Sequence, residues 1–257
     1  MLFDSHAHLD DDKFCDDREE IINGLKNSGV SYVVNVGADY ETSLNSVNLS
    51  AKYDFIYASV GVHPYDAKTV TDDLMDKFRS MAKDNKKIVA IGESGLDYSY
   101  DDADKEAQKD AFIKHIKLAD ELGLPIIVHN RDSHKDMLDI LMQHKPQKAI
   151  IHCYSGSLEM AKILVKMGYY ISFSGTVTFK NAKNLKEAAK WVPLENLLIE
   201  TDCPYLSPEP ERGTRNNPAK VRYTAEVIAE LKGVTFEEVA QKTLENAKRV
   251  YNIGEIS

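Results

Sequence analysis

Short apolar runs rich in Val and Ile alternate with longer stretches whose apolar residues recur at helical spacing, from one end of the 257-residue chain to the other. The runs predict strands over 1–4, 30–37, 55–61, 88–93, 125–129, 149–152, 168–173 and 197–202. Around them the spacing predicts helices over 18–26, 42–52, 74–83, 105–122, 135–144, 158–167, 184–192 and 219–231. A last helical stretch, 235–251, opens on Thr235 with Glu238 three residues on, as in a capping box, and carries Phe236, Val239 and Leu244 as its apolar residues. Strands and helices in strict alternation are repeated βα units, and eight of each close into a barrel more naturally than into an open sheet. A doubly wound sheet would usually carry a glycine-rich phosphate loop after its first strand, and Asp4-Ser5-His6-Ala7-His8 is not one. The expected fold is therefore α/β, a (β/α)8 barrel with an additional C-terminal helix. No Gly/Ser-rich or Pro-rich linker interrupts the rhythm, so residues 1–257 are expected to form a single domain.

Composition narrows the setting. Hydrophobic residues at 43% and charged residues at 28% are ordinary for a globular protein with a sizeable core. The N-terminus reaches Asp4 without a basic flank and apolar run, and no later run spans a bilayer, so a cytoplasmic protein without membrane association is expected. Three cysteines, Cys15, Cys153 and Cys203, are odd in number and lack CxxC spacing, which argues against a disulfide framework or zinc ribbon. The net charge of −9 does not suit a surface that tracks many phosphates of a nucleic acid. Contact with such a substrate would be local, with bound divalent cations supplying positive charge at the site.

Candidate chemistry gathers at strand ends. Of eight histidines, five (His6, His8, His63, His129, His152) fall at or just past the C-terminal end of a predicted strand, as do Glu93 and Asp202. In a barrel those ends converge on the face where active sites sit. His6 and His8, two apart in extended backbone, project to one side and can bind one ion together with carboxylates from strands four and eight. Glu93, with two oxygens, can bridge to a second ion held by His129 and His152. Any one of these histidines alone reads more readily as a hydrogen-bonded core residue than as a ligand. Seven polar groups at one barrel mouth, however, would be left uncompensated unless something bound them. His115, His134 and His144 lie in helical stretches and are expected to be solvated or near-surface, without a role. Alternation turns Cys153 and Cys203 away from their neighbours, as buried packing residues. The clusters Asp10-Asp11-Asp12 and Asp101-Asp102 read as solvated loops.

The chain also resembles the TatD family of metal-dependent deoxyribonucleases within the amidohydrolase-like barrels. The matching stretches are Asp4-Ser5-His6-Ala7-His8-Leu9-Asp10, Gly61-Val62-His63-Pro64, Gly92-Glu93-Ser94-Gly95-Leu96-Asp97-Tyr98, Leu124-Pro125-Ile126-Ile127-Val128-His129, His152-Cys153-Tyr154-Ser155-Gly156-Ser157 and Glu200-Thr201-Asp202-Cys203-Pro204-Tyr205-Leu206. Arg212-Gly213-Thr214-Arg215-Asn216 and Asn246-Ala247-Lys248-Arg249 extend the match towards the C-terminus. The resemblance implies that His6, His8, Glu93 and Asp202 hold one divalent ion and Glu93, His129 and His152 another. It further implies trimming of DNA from the 3′ end, with misacylated transfer RNA as another substrate within the family. Two departures stand out: Tyr65 where many relatives carry a histidine after His-Pro, and Ser94 in place of a commoner aliphatic residue.

The expected mechanism is in-line displacement by a water activated between two cations. Asp202 would orient or deprotonate that water, or serve as ligand only, and Glu93 would bridge the ions. His63, outside both shells, would bind a substrate phosphate or protonate the leaving oxygen, the alternative being a structural histidine before Pro64. Arg131, Arg212 and Arg215 would grip neighbouring phosphates, loop-fixing salt bridges being the equal alternative. Ser157 reads as the N-cap of a helix, although Ser155-Gly156-Ser157 could also offer amides to an anion. Mixed imidazole and carboxylate shells accept Zn, Mg, Mn, Fe or Ni. The expected partner is nucleic acid, DNA ends in the first place, with no obligate protein partner. Two rivals are a barrel hydrolase of cyclic amides, lactones or phosphotriesters and a catalytically silent metal-bound scaffold. Glu93 stands where many of the former carry a carboxylated lysine, and the latter would have lost a ligand.

Overall fold

The computed structural model describes residues 1–254. Its strands are β1 Leu2–Ala7, β2 Val30–Val36, β3 Ile56–Val60, β4 Ile88–Asp97, β5 Ile126–Arg131, β6 Ala149–Ile151, β7 Tyr170–Phe173 and β8 Leu197–Ile199. The helices are α1 Arg18–Gly24, α2 Tyr40–Lys52, α3 Asp72–Asp84, α4 Lys105–Leu122, α5 His134–His144, α6 Leu158–Lys166, α7 Lys183–Trp191, α8 Val221–Lys232 and α9 Phe236–Val250. Strands follow chain order in the sheet, and the described pairings are parallel. Two compact bodies are distinguished by their internal packing, residues 1–35 with the chain from His152 onward, and Val36–Ile151.

In the first body β1 pairs with β2 and β7 with β8. The chain just past β8 runs alongside the end of β1, where Asp202 N–H donates to His6 O at 2.9 Å and His8 N–H to Cys203 O at 2.8 Å. The first strand and the chain after the last one are thus laced together. Helix α9 closes over β1 and β8: Tyr251 donates its hydroxyl to Ser5 O at 2.8 Å, and Asn246 Nδ2 donates to Leu197 O at 2.9 Å. The expected caps are present, Thr235 accepting from Glu238 N–H at 3.1 Å and Ser157 from Met160 N–H at 3.2 Å.

The second body is built on β3, β4, β5 and β6 in register, with α2 against β3 and α4 against β4. All ten residues of β4 are buried, the pattern of a strand covered on both faces. Helix α4 starts under Asp104, whose side chain accepts from Ala107 N–H, and ends on Gly123 in the left-handed conformation.

Three expectations change here. β4 runs past 93 to Asp97, because Gly92 and Gly95, without side chains, let the backbone continue close against β5. β6 and β8 stop at Ile151 and Ile199, so His152 and Asp202 sit on the loops that follow, and φ of +56° at Asp202 turns the chain out of the ladder. His115 is fully buried rather than solvated, on the apolar stripe of α4 with Ala111, Phe112 and Ile116. Its Nε2 accepts from Val62 N–H at 3.1 Å and its Nδ1 pairs with Ala111 O at 2.7 Å, the Nδ1–H tautomer. Burial lowers its pKa to about 4.

Candidate metal centre

In the first body the donors converge at the end of β1. His6 Nε2 and His8 Nε2 stand 3.2 Å apart, and Asp202 Oδ1 lies 3.7 Å from the former and 3.5 Å from the latter. His152 stacks on His6, ring centroids 4.0 Å apart at 13°, and His6, His152 and Asp202 each offer a ligand atom within 4.8 Å of the others. Ligands about 2.0–2.2 Å from a tetrahedral ion lie about 3.3–3.6 Å from one another. The donor spacing fits a cation, and two imidazoles with a carboxylate are the atoms a divalent metal takes.

Buried acids brace these donors. Asp4 accepts from Thr201 N–H at 2.9 Å and Thr201 Oγ1 at 2.5 Å, holding the turn before Asp202 against β1. Burial pushes its carboxyl up to about 8 against the pull of those bonds. Glu200, fully buried, accepts from Cys153 N–H at 2.6 Å and lies 3.5 Å from His152 Nδ1. Its Oε2 is buried and has no hydrogen-bond partner among the described residues. Cys153 itself is half-buried and left-handed, φ +42°, with Sγ 3.2 Å from Ser174 Oγ. It is not the packed residue expected, because the strand alternation ends at Ile151; Cys203 is buried as expected.

In the second body β4 and β5 present a carboxylate on each side of one imidazole. Glu93 Oε2 lies 3.6 Å from His129 Nδ1, and Asp97 Oδ2 lies 3.1 Å from His129 Nε2. The strands approach closely because Gly95, opposite His129, has no side chain: a Cβ there would meet His129 O at 2.0 Å. Asp97 is held in turn by Ser99, whose N–H and hydroxyl reach Oδ1 at 2.9 and 2.6 Å. Gln108 of α4 bonds both its backbone groups. Burial opposes ionisation of Asp97, but the bonds from His129 and Ser99 outweigh it and hold the carboxyl well below the usual carboxylate range. His63 packs edge-on to His129 at 4.4 Å, and its Nδ1 accepts from Tyr65 N–H at 3.2 Å, which places the proton of the neutral ring on Nε2. His63, Asp97 and His129 offer ligand atoms within 4.8 Å of one another.

The arginines divide. Arg131 is exposed at the end of β5, and Arg212 is exposed with its guanidinium 4.2 Å over the Phe179 ring. Arg215 turns its fork to Asp17, with Nη1 3.0 Å from Oδ1, and lies over Phe14, so of the two readings held equal, phosphate grip and loop-fixing ion pair, the second is the one present. Asp10 and Asp11 are likewise tied down rather than merely solvated, to Asn35 Nδ2 at 2.8 Å and Tyr205 hydroxyl at 2.7 Å. Sequence reasoning missed Asp4, Asp97 and Glu200. The signal for Asp97 was its place four residues after Glu93 in extended backbone, on the same side of the strand. For Glu200 and Asp4 it was the step of two to Asp202 and His6.

Comparison with known proteins follows this geometry. A family model described as TatD related DNase matches residues 3–252. An uncharacterized metal-dependent hydrolase of Bacillus subtilis, YabD, is 48% identical over 99% of this chain and 100% of its own length. Another of Escherichia coli K12, YcfH, is 40% identical over 98% of this chain and 96% of its own. The solved structure of YjjV, a TatD homolog from Escherichia coli K12, has a TM-score of 0.93 at 29% identity, covering 98% of each chain. The (β/α)8 class expected from the strand–helix alternation is therefore the fold of this chain. No described helix is long and apolar enough to cross a membrane.

Proposed function

Because the chain belongs to the TatD family of metal-dependent hydrolases, we propose that it cleaves phosphodiester bonds of nucleic acid, DNA 3′ ends in the first place. In this reading residues 1–257 act as one domain, and His6, His8, Glu93, His129, His152 and Asp202 hold two divalent cations. The supporting observation is the convergence of His6 Nε2, His8 Nε2 and Asp202 Oδ1 at 3.2–3.7 Å, a spacing that suits a shared cation. Such cations would supply positive charge to a phosphoryl oxygen and ease loss of a proton from the attacking water.

The chain's own groups supply the rest. Asp202, 15% exposed, keeps a carboxylate oxygen at the edge of the cluster where it can accept the water's proton. His63, donating from Nε2, suits a phosphate oxygen or the leaving oxygen. Exposed Arg131 and Arg212 can meet flanking phosphates without being consumed by an ion pair of the kind that occupies Arg215. With few such cations on a chain of net charge −9, grip on the substrate is local, which suits an enzyme of ends. Three cysteines outside any disulfide suit a reducing cytoplasm.

The test is metal analysis of the purified protein, then reconstitution with single cations and a panel of end-labelled DNA and RNA, a dihydropyrimidine and an aryl phosphotriester. Cation-dependent shortening from the 3′ end is expected, abolished by chelation and in Asp202→Asn. Turnover confined to the two small substrates would overturn the proposal.

A further inference from the structure

Tyr65 is the most exposed aromatic side chain among the described residues, at 56%. It stands in the turn Pro64–Thr69 directly after His63 and is fixed from two sides. Its amide donates to His63 Nδ1 and its ring lies 4.8 Å from that of His63. The Tyr100 ring meets it edge-on at 4.5 Å, and the Tyr100 hydroxyl accepts from Gln108 Nε2 at 2.6 Å. An aromatic ring this exposed loses apolar contact to water, yet its neighbours hold it in place beside the candidate site rather than folding it inward.

The charge around Tyr65 selects what can cover it. Asp66 next to it and Asp101 and Asp102 after Tyr100 are exposed, and Lys68, in the same turn, is paired with Asp104 at 3.3 Å. Such a surface repels phosphate and favours a neutral group with a π face. A nucleobase is that group, and stacking is sequence-tolerant and needs no lysine or arginine. On a chain of net charge −9 it supplies affinity that phosphate contacts cannot.

We propose that Tyr65 is a stacking platform for the nucleobase next to the scissile phosphate, braced by His63 and Tyr100. The assignment rests on the phosphodiesterase reading, in which His63 meets that phosphate. It makes the base, rather than the charge of the strand, what draws a nucleotide to this side of the site.

The test uses the full chain loaded with Mn2+ and two oligonucleotides that differ only in whether the 3′-terminal nucleotide carries a base or an abasic tetrahydrofuran. For the base-bearing strand Tyr65→Leu is expected to raise KM about tenfold, with kcat nearly unchanged. The abasic strand is expected to be cut equally by wild type and variant, and Tyr65→Phe and Tyr65→Trp are expected to keep the wild-type preference. Equal losses on both strands in Tyr65→Leu, or no loss on either, overturn the platform. If the wild type cleaves neither strand, the phosphodiesterase reading fails, and the platform is judged by binding of an oligonucleotide ending in 2-aminopurine. Fluorescence quenching lost in Tyr65→Leu then supports it, and absence of quenching by the wild type overturns it.

Discussion

The carboxylate of Asp97 and the imidazole of His129 meet at 3.1 Å through Nε2, while Nδ1 of the same ring faces Glu93 at 3.6 Å. An ionised Asp97 accepts the proton of Nε2 and leaves Nδ1 with its lone pair toward Glu93, the tautomer a cation requires. Asp97→Asn should weaken divalent-cation binding about 10- to 100-fold. Calorimetric titration with Mn2+ or Zn2+ reads this directly, and affinity equal to wild type would show that Asp97 does not orient the ring.

His115 gives the protein a stability that depends on pH. Its folded pKa of about 4 lies below the ordinary 6.5, so between these values the unfolded chain binds a proton that the folded chain refuses. The contribution is complete above pH 6.5 and is lost as pH falls towards 4. Denaturant unfolding at pH 7 and pH 5 should show the wild type losing about 2 kcal/mol more than His115→Gln. Parallel losses in the two proteins would place the acid sensitivity elsewhere.

How much of this was legible beforehand follows from where each signal lay. The eight strands were readable because β strands buried on both faces are continuous apolar runs, and α4 was read to the residue from its helical spacing. His6, His8, Glu93, His129, His152 and Asp202 were visible as polar residues closing apolar runs. Asp97 was hidden because the apolar run closes at Ile91 and a strand over 88–93 stops short of it. His115 fell four residues after Ala111 on the apolar stripe, and its residue type outweighed its position in the reading. Arg215 could not be settled, since a guanidinium fork fits Asp17 as well as a phosphate.

Gly95 leaves no room for a side chain against β5. In Gly95→Ala the new Cβ would lie 2.0 Å from His129 O, so β4 and β5 must part where His129 and Asp97 meet. A loss of about 3 kcal/mol or more in chemical denaturation is expected, together with loss of cation binding. A variant as stable as wild type would mean the strands separate there without cost.

Lys220 is a buried lysine whose Nζ donates to Thr214 Oγ1 at 2.6 Å, Arg215 O at 2.9 Å and Ser207 Oγ at 3.0 Å, with Glu211 Oε2 at 2.9 Å. One ammonium thereby pins the loop that carries Arg212 and Arg215. Lys220→Met should cost about 1–3 kcal/mol and expose that loop to trypsin under native conditions. Cleavage at Arg212 and Arg215 no faster than in wild type would show the loop is held by other means.

The lacing of β1 to the chain past β8 joins residues as far apart as Asp4 and Thr201, separated by 197 positions. During synthesis the N-terminal histidines leave the ribosome long before their carboxylate partner exists, so a nascent or prematurely terminated chain has no complete nest for a cation. Any chemistry that needs the assembled donors is thereby withheld until synthesis has passed Asp202.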